Sequence, residues 1–286
     1  MIRVLHPGPL TAVRDLGHAG FAHLGVSAGG AADTVSLRVG NRLVGNPDDA
    51  AALEMTLAGG RFLFHVGATV AITGSDFRPT VDGREVPLWE SFTIRAGATL
   101  RVGSTRTGAR CYLCLSGGLN SPPLPEHMVC KGDLLGVGAA RGHAGKRHLR
   151  PEWLRRDVLR VTAGPQATLF DDPARQTFFD SFYRVREESD RRGLRLTGPA
   201  IAPPHGGRMI TEGVSLGAIQ LPPNGEPIIL FVGQQTTGGY PIVANVISAD
   251  LHRVGQLRPR DRVRFELVDM DTARELLAEL ERSLEP

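Results

Sequence analysis

Short apolar or alternating runs recur along this chain at a spacing of about 8–12 residues, and that rhythm constrains the fold more than any other feature. The runs include RFLFHV (61–66), ATVAITG (68–74), TLRVG (99–103), RCYLCLS (110–116) and VLRVT (158–162). They continue with GAIQL (217–221), PIILFV (227–232), IVANVIS (242–248) and RVRFELV (262–268). Turn signals such as Asp82-Gly83, Ala96-Gly97, Gly206-Gly207 and Asn224-Gly225 separate them. Glycine and proline make up 55 of 286 residues with no period of three, so they punctuate turns rather than build a fibre.

Helical signals are sparse. Asp33 is placed to N-cap a helix with Val35, Val39 and Leu43 on one face, closed by Gly45. Asn46-Pro47 predicts a second short helix through Leu53, and Asp172-Pro173 a third through about Ser181. The C-terminal DTARELLAELERSL is amphipathic through Leu276, Leu277, Leu280 and Leu284. Strands and helices do not alternate, which argues against a doubly wound sheet and for a mainly β chain. A Gly/Arg-rich, strand-poor stretch reads as a seam. The expected division is an N-terminal β domain over 1–140, a basic linker over 141–156 and a second β domain over 157–286.

Charge excludes little. The sequence pI is about 9.0, but the net charge is only +3. Lysine occurs twice, at Lys131 and Lys146, among 33 basic residues, an arginine bias that is no nucleic-acid signature. The basic run from Arg141 to Arg160 reads as solvated linker, so neither nucleic acid nor membrane is an expected partner. The N-terminus carries no apolar leader and no stretch reaches ~18 apolar residues, so a cytoplasmic location is expected.

Cys111, Cys114, His127 and Cys130 have the spacing C-x2-C-x12-H-x2-C of a zinc set. Yet the first two lie in an apolar β-type run, where a period of two sends them to opposite faces. They are expected to be small core residues, and no metal is expected. HxH, HExxH, GxSxG, Walker A and GxGxxG patterns are all missing.

The stretch GQQTTGGYPIVANVIS (233–248) joins two expected strands through amides, hydroxyls and glycines, without any titratable acid or base before the Tyr-Pro. It is longer than the commonest hairpin loops of two to five residues. Its amides and hydroxyls suit a neutral ligand offering both donors and acceptors, such as a lactam or urea.

Several stretches resemble one known family. VRDLGHAGFAHLGVSAGGAADTVSLRVGNRLVGNPDDAAALEMTLAGG (13–60), Gly164-Pro165-Gln166 and Ser189-Asp190-Arg191 are similar to its characteristic elements. TEGVSLGAIQLPPNGEPIIL (211–230) and QTTGGYPIVANVISADL (235–251) resemble its most distinctive block. This is the allophanate hydrolase subunit 2-like, biotin-dependent carboxyltransferase-related family. It includes the C-type subunit of the ATP-dependent 5-oxoprolinase and half of the urea carboxylase carboxyltransferase domain. The resemblance implies two β-barrel-like domains, the second cyclophilin-like. It implies a 5-oxoprolinase-type activity on a lactam, shared with a B-type (allophanate hydrolase subunit 1-like) partner, with ATP and Mg as cofactors. The alternatives it leaves are half of a biotin-dependent carboxyltransferase acting on urea, or a non-catalytic regulator that binds a kinase-inhibitor partner. The chain has no biotin-acceptor MKM motif, so no bound biotin is expected on it.

The sequence departs from the family pattern at Arg14, His18, Ala32 and Gly233, and the segment 117–135 is short. Carried onto this chain, the substrate-binding candidates are Gln234, Gln235, Thr236 and Thr237, then Gly238, Gly239 and Tyr240, with Gln220 before them. Asp33, Asn41, Asn46 and Glu54 join them from the N-terminal motif. Asp33 and Asn46 read equally well as helix caps, while Asn41 and Glu54 are expected on or near a helix surface. Arg191 is the candidate anion or phosphate binder with Asp190 orienting it, and Glu212 is the candidate acid/base.

Overall fold

A computed structural model describes residues 1–18, 20–120, 128–140, 144–148 and 157–284. His127 and most of the basic linker lie outside the described residues, as does part of the 117–135 segment. The chain divides into two compact units, Met1–Gly17 with Asp33–Leu154 and Leu284–Pro286, and His18–Ala32 with Arg155–Ser283. The segment His18–Ala32 thus groups with the second unit rather than with the N-terminal residues around it. Gly29 N–H donates to Val232 O at 2.9 Å, and an Arg191 guanidinium nitrogen donates to Gly30 O.

In the first unit, β1 (Ile2–His6), β4 (Arg61–Phe64), β6 (Thr80–Val81), β7 (Arg84–Glu85), β9 (Thr99–Arg101), β11 (Leu119–Asn120) and β12 (Leu134–Val137) form one sheet. Its order is β11-β12-β1-β4-β9-β6-β7. A second sheet runs β2-β3-β10-β5-β8, from β2 (Thr11–Arg14), β3 (Ala52–Thr56), β5 (Ala68–Gly74), β8 (Ser91–Ile94) and β10 (Arg110–Leu115). The core between the sheets joins Val4, Phe62, Phe64 and Leu100 of one to Leu53, Met55, Ile72 and Leu113 of the other.

Strand β10 is buried along its whole length. Cys111, Leu113 and Leu115 face that core. Cys114 faces the other way, against helix α1 (Thr34–Leu43), where its Sγ lies 3.8 Å from Leu37 O. The two cysteines therefore occupy opposite faces, as the strand period requires. Helix and sheet approach closely because residue 40 is glycine: a Cβ there would sit 2.6 Å from Cys114 Sγ and 2.8 Å from Thr73 Oγ1. Burial pushes the Cys114 thiol far above its ordinary value, which keeps it an inert packing group.

Helix α1 forms where Asp33 predicts it. The Asp33 carboxylate accepts from Ser36 N–H at 2.8 Å and from Ser36 Oγ at 2.6 Å. The helix expected from Asn46-Pro47 is absent. Residues 46–50 form a turn, in which Ala50 N–H donates to Pro47 O at 3.1 Å. The alanine-rich DDAAALEM has helical propensity, but β3 is paired on both edges, with β2 and with β10. Those ladders and the burial of Leu53 and Met55 override local preference.

The second unit is built on a closed barrel ordered β13-β20-β17-β18-β15-β14-β21. Its strands are β13 (Val158–Ala163), β14 (Tyr183–Val185), β15 (Gly193–Thr197), β17 (Ala218–Gln220), β18 (Ile228–Leu230), β20 (Ile242–Val246) and β21 (Arg262–Leu267). Parallel pairing of β13 with β21 closes it. Leu159, Leu196, Ile219, Ile229, Val263 and Phe265 fill the interior. Helix α2 (Asp172–Asp180), capped by Asp171 rather than Asp172, stacks Phe178 on Phe265 at 4.6 Å. A short α3 (Leu251–Val254) follows β20, and the amphipathic α4 (Met270–Ser283) ends the unit with no fully buried residue. Among the described residues no helix is long and apolar enough to cross a membrane.

Candidate functional site

Interior and exterior of the barrel alternate strictly along three neighbouring strands. Leu194 and Leu196, Ile219 and Ile229 point inward, so Arg195, Gln220 and Ile228 point outward. Register places these three in one row, with Arg195 opposite Ile228 and Ile228 opposite Gln220. The outer wall here is apolar as well: Ala218, Leu230 and Ile242 form a separate buried cluster outside the barrel core.

The polar stretch after β18 covers that wall. Thr237–Gly238 (β19) pairs with Glu212–Gly213 (β16), with Glu212 opposite Gly238 and Gly213 opposite Thr237. Met209 N–H donates to Gly239 O at 2.9 Å and Val214 N–H to Thr236 O at 3.0 Å. Val214 packs on the outer apolar cluster, so the ribbon is fixed by burial as well as by its ladder. The GPQ element braces it. Gln166 Oε1 accepts from Ile242 N–H at 3.0 Å, while its Nε2 donates to Glu212 Oε1 at 2.6 Å. One buried amide thereby ties the start of β20 to β16. Glu212 itself is exposed and engaged by this amide.

Of the loop side chains, Gln234 donates through Nε2 to Val214 O at 3.1 Å. Gln235, Thr236 and Thr237 make no side-chain hydrogen bond among the described residues. A loop that used these groups to bond its own backbone would not leave them open.

Beneath the loop lies a pocket of about 280 Å³. Gln220, Gln235 and Tyr240 line one side, Ile228 and Leu230 the floor, and Arg192 and Arg195 the other side. Gln220 is only 2% exposed, yet its Nε2 has no hydrogen-bond partner. A buried donor left unmade costs about 1–3 kcal/mol, so it calls for an explanation. Gly238 leaves the space into which that amide extends, since a Cβ there would meet Gln220 Nε2 at 2.5 Å.

The SDR element acts differently from expectation. Arg191 does not line the pocket; its guanidinium is bonded to Gly30 O, and its carbonyl accepts from Gly233 N–H at 2.8 Å. The pocket arginine is its neighbour Arg192, bonded to Asp190 through Nε at 2.9 Å and through its own N–H at 2.8 Å. Burial alone would raise the Asp190 carboxyl, but these bonds and that from Gly193 N–H outweigh it and hold it below its usual value. Asp190 thus orients Arg192. No motif marks Arg195, although its place between Leu194 and Leu196 makes it the outward residue of the strand.

The candidates from the N-terminal motif form a separate network, inside the first unit. Asn41 and Glu54 are buried rather than at a helix surface, and Glu54 stands on strand β3. Tyr112 hydroxyl donates to Glu54 Oε2 at 2.7 Å and accepts from Asp33 N–H at 2.8 Å. Burial, and next the Glu54 carboxylate, push the Tyr112 hydroxyl well above its ordinary value, so it stays a donor. Asn41 Nδ2 donates to Asp48 O at 3.1 Å and Ala50 O at 2.7 Å. Asn46 donates to Leu115 O at 2.6 Å and accepts from Gly117 N–H at 2.7 Å. Each of these groups is engaged in holding the turn, the helix and the sheet together.

Among the described residues, no group of three His, Cys, Asp or Glu side chains is placed to hold a metal ion. The pocket is also small for a nucleotide, just below the ~300–1,000 Å³ usual for ligand sites. Its wall suits a ring-sized molecule with carbonyl and anionic groups.

The chain resembles known proteins along nearly its whole length. The chain is 31% identical to the C-type subunit of 5-oxoprolinase from Haemophilus influenzae, over 96% of this chain and 94% of that one. It is 30% identical to the C-type subunit of 5-oxoprolinase from Escherichia coli, over 96% and 93%. The crystal structure of the K. lactis urea amidolyase superposes with a TM-score of 0.92 at 28% identity, over 99% of this chain but 20% of that one. The present chain therefore spans about a fifth of that larger protein. The family model for the carboxyltransferase domain, subdomain A and B, matches residues 24–267. With most of its length inside that match, this chain belongs to the carboxyltransferase domain, subdomain A and B family.

Proposed function

We propose that this chain is the C-type component of an ATP-dependent 5-oxoprolinase, an enzyme that opens a lactam to glutamate, working beside a B-type partner that resembles allophanate hydrolase subunit 1. The structural observation that carries this reading is the Gln220 pocket. Its lining brings together the amide side chains of Gln220 and Gln235 and the guanidinium groups of Arg192 and Arg195. A cyclic amide bearing one carboxylate needs both kinds of group. Near-full-length identity to two proteins named as this component of 5-oxoprolinase supports it.

ATP with Mg enters this reading as a co-substrate of the complex rather than as an occupant of this pocket. Glu212, braced by Gln166 at 2.6 Å, remains the acid/base candidate of the second unit. A second reading, half of a biotin-dependent carboxyltransferase acting on urea, is favoured by the TM-score of 0.92 to the urea amidolyase structure.

Co-expression with a B-type partner, followed by ATP hydrolysis assays with 5-oxoproline or urea, separates the two. The expected result is ATP turnover stimulated by 5-oxoproline once the remaining component is added. Stimulation by urea alone, and only with a biotin carrier, would replace the first reading with the second. A stable complex without substrate-stimulated turnover in any combination would remove both.

A further inference from the structure

Strands β21 and β14 of the barrel turn an arginine-rich face outward. Val263 and Phe265 of β21, and Tyr183 and Val185 of β14, fill the interior. Alternation therefore turns Arg262, Arg264 and Arg184 out. Register sets Arg184 directly opposite Arg262 on one side and Thr197 on the other. Like charges directly opposite one another across a strand pair are destabilising. The exposed Phe182, just before β14, lies under Arg262, whose guanidinium carbon is 4.0 Å from the ring centroid. The guanidinium carbon of Arg264 is 5.8 Å from the same centroid.

These arginines have no acids of their own. Arg184, Arg262 and Arg264 are all exposed, and among the described residues none makes an ion pair or a side-chain hydrogen bond. Carboxylates on and beside these strands are engaged elsewhere. Glu226 pairs with Arg186 at 2.8 Å and accepts from Thr197 at 2.9 Å, and Glu188 pairs with Arg186 at 3.2 Å. Glu187 pairs with Arg260 at 2.8 Å, Asp261 with Arg258 at 3.1 Å, and Glu266 stands opposite Arg160. What this face lacks is an anion, and its spacing narrows which one. Arg262 and Arg264 are two residues apart on one strand, a step of roughly 7 Å, which is also the repeat of side chains along one face of an extended chain. Stacking on Phe182 holds the Arg262 guanidinium flat and leaves its N–H edge to fork onto a carboxylate. The same stacking occupies a ring face that a nucleic-acid base would need, so the patch is a poor base-stacking platform.

We propose that this face of the barrel is a docking surface for an acidic segment of another protein. The segment binds extended, with carboxylates at alternate positions on Arg262 and Arg264 and a third on Arg184. The surface lies wholly within the second unit and uses none of the residues that line the Gln220 pocket, so it stands apart from the lactam reading.

The test titrates the full chain into a fluorescein-labelled peptide of alternating glutamate and threonine, four of each, read by fluorescence anisotropy. Binding is expected at about 50 mM NaCl and should weaken at least fivefold at about 300 mM, as screened charges require. A peptide of the same composition with its glutamates in one block presents only two on a face and should bind at least threefold weaker. The double variant Arg184→Gln, Arg262→Gln should lose at least tenfold. Removing the same charge from exposed arginines of the first unit, with Arg3→Gln and Arg61→Gln, should change binding less than twofold. Should the first double variant fail to fold, Arg264→Gln alone carries the test, with at least a threefold loss expected. Arg184→Gln by itself should leave the Tm unchanged or raise it, because it relieves the repulsion from Arg262. A lower Tm in that variant would make Arg184 a structural residue and overturn the proposal. So would no peptide binding at millimolar concentration, equal binding of the two peptides, or an equal loss in the first-unit variant. Tighter binding of octathymidylate, or of phosphatidylserine vesicles, that is lost in the same variants would replace the acidic segment with a nucleic acid or a lipid surface and overturn it as well.

Discussion

The two units each contain a cluster of polar side chains at motif positions, and the clusters are finished differently. In the first, Asp33, Tyr112 and Glu54 form one chain of hydrogen bonds, and Asn41 and Asn46 form another that ends on main-chain atoms. In the second, Gln220, Gln235, Thr236 and Thr237 leave donors and acceptors open beneath and along one loop. Both sets occur in motif positions of the sequence, so the motif does not separate them. The number of satisfied bonds does: a closed network specifies a fold, whereas a buried donor without a partner, such as Gln220 Nε2, costs stability.

The largest effects belong to the closed network. Glu54→Ala removes the acceptor of Tyr112 and the carboxylate that faces Arg110, whose Nε lies 3.9 Å from Glu54 Oε1. Leaving a buried charge without its partner costs about 3–5 kcal/mol, read as a fall in the urea midpoint. Asn46→Ala leaves Leu115 O and Gly117 N–H without their side-chain partner. A loss of about 2–3 kcal/mol is expected from unsatisfied groups of this kind. If either variant keeps its stability but loses ligand binding, the division between the two clusters is wrong.

The same distinction explains what is legible in the sequence and what is not. The strand rhythm places β4, β5, β9, β10, β13, β17, β18, β20 and β21, because alternation and apolar runs follow from burial of one or both faces. Local propensity favours helix over the start of β3, because the partners of that strand lie far away in sequence, at 11–14 and 110–113. Propensity contains nothing about them. At the site, the loop's open amides are legible as composition, but Gln220's unmade bond is not, since it exists only once the surrounding strands are in register. Arg191 stands out as part of a motif, whereas the pocket arginines are Arg192 and Arg195, chosen by Asp190 and by strand phase. Motif membership identifies the segment; geometry chooses the residue.

Acid probes a closed cluster of the second unit. His252 is 3% exposed, beside Arg253, Asp250 and Arg160. Burial first, and then Arg253, lower its pKa to about 3, with Asp250 opposing. The unfolded residue takes up its proton near 6.5 and the folded one only near 3, so the native state binds fewer protons between those values. Stability contributed by neutral His252 is full above 6.5 and falls as the pH drops below it, at most about 1.4 kcal/mol per pH unit. From pH 6.5 to 5 the loss is about 2 kcal/mol on this account. His252→Phe should flatten the denaturation midpoint over that range; an unchanged slope would mean that His252 is already protonated when folded.

The smallest expected change is the most discriminating. Gln220→Leu keeps the volume and apolar contacts of a side chain that is 2% exposed and removes a donor with no partner. For a group with a structural role, such a substitution destabilises, as it should at Asn46. At Gln220 the prediction has the opposite sign: stability unchanged or higher by about 1 kcal/mol, because the desolvation cost of the unmade bond disappears. Urea denaturation of the parent and variant measures this directly. A gain, or no change, places Gln220 with groups kept for binding at some cost to the fold. A loss of about 2 kcal/mol would return it to the class of Asn46 and Glu54, and the contrast between the two clusters would fail.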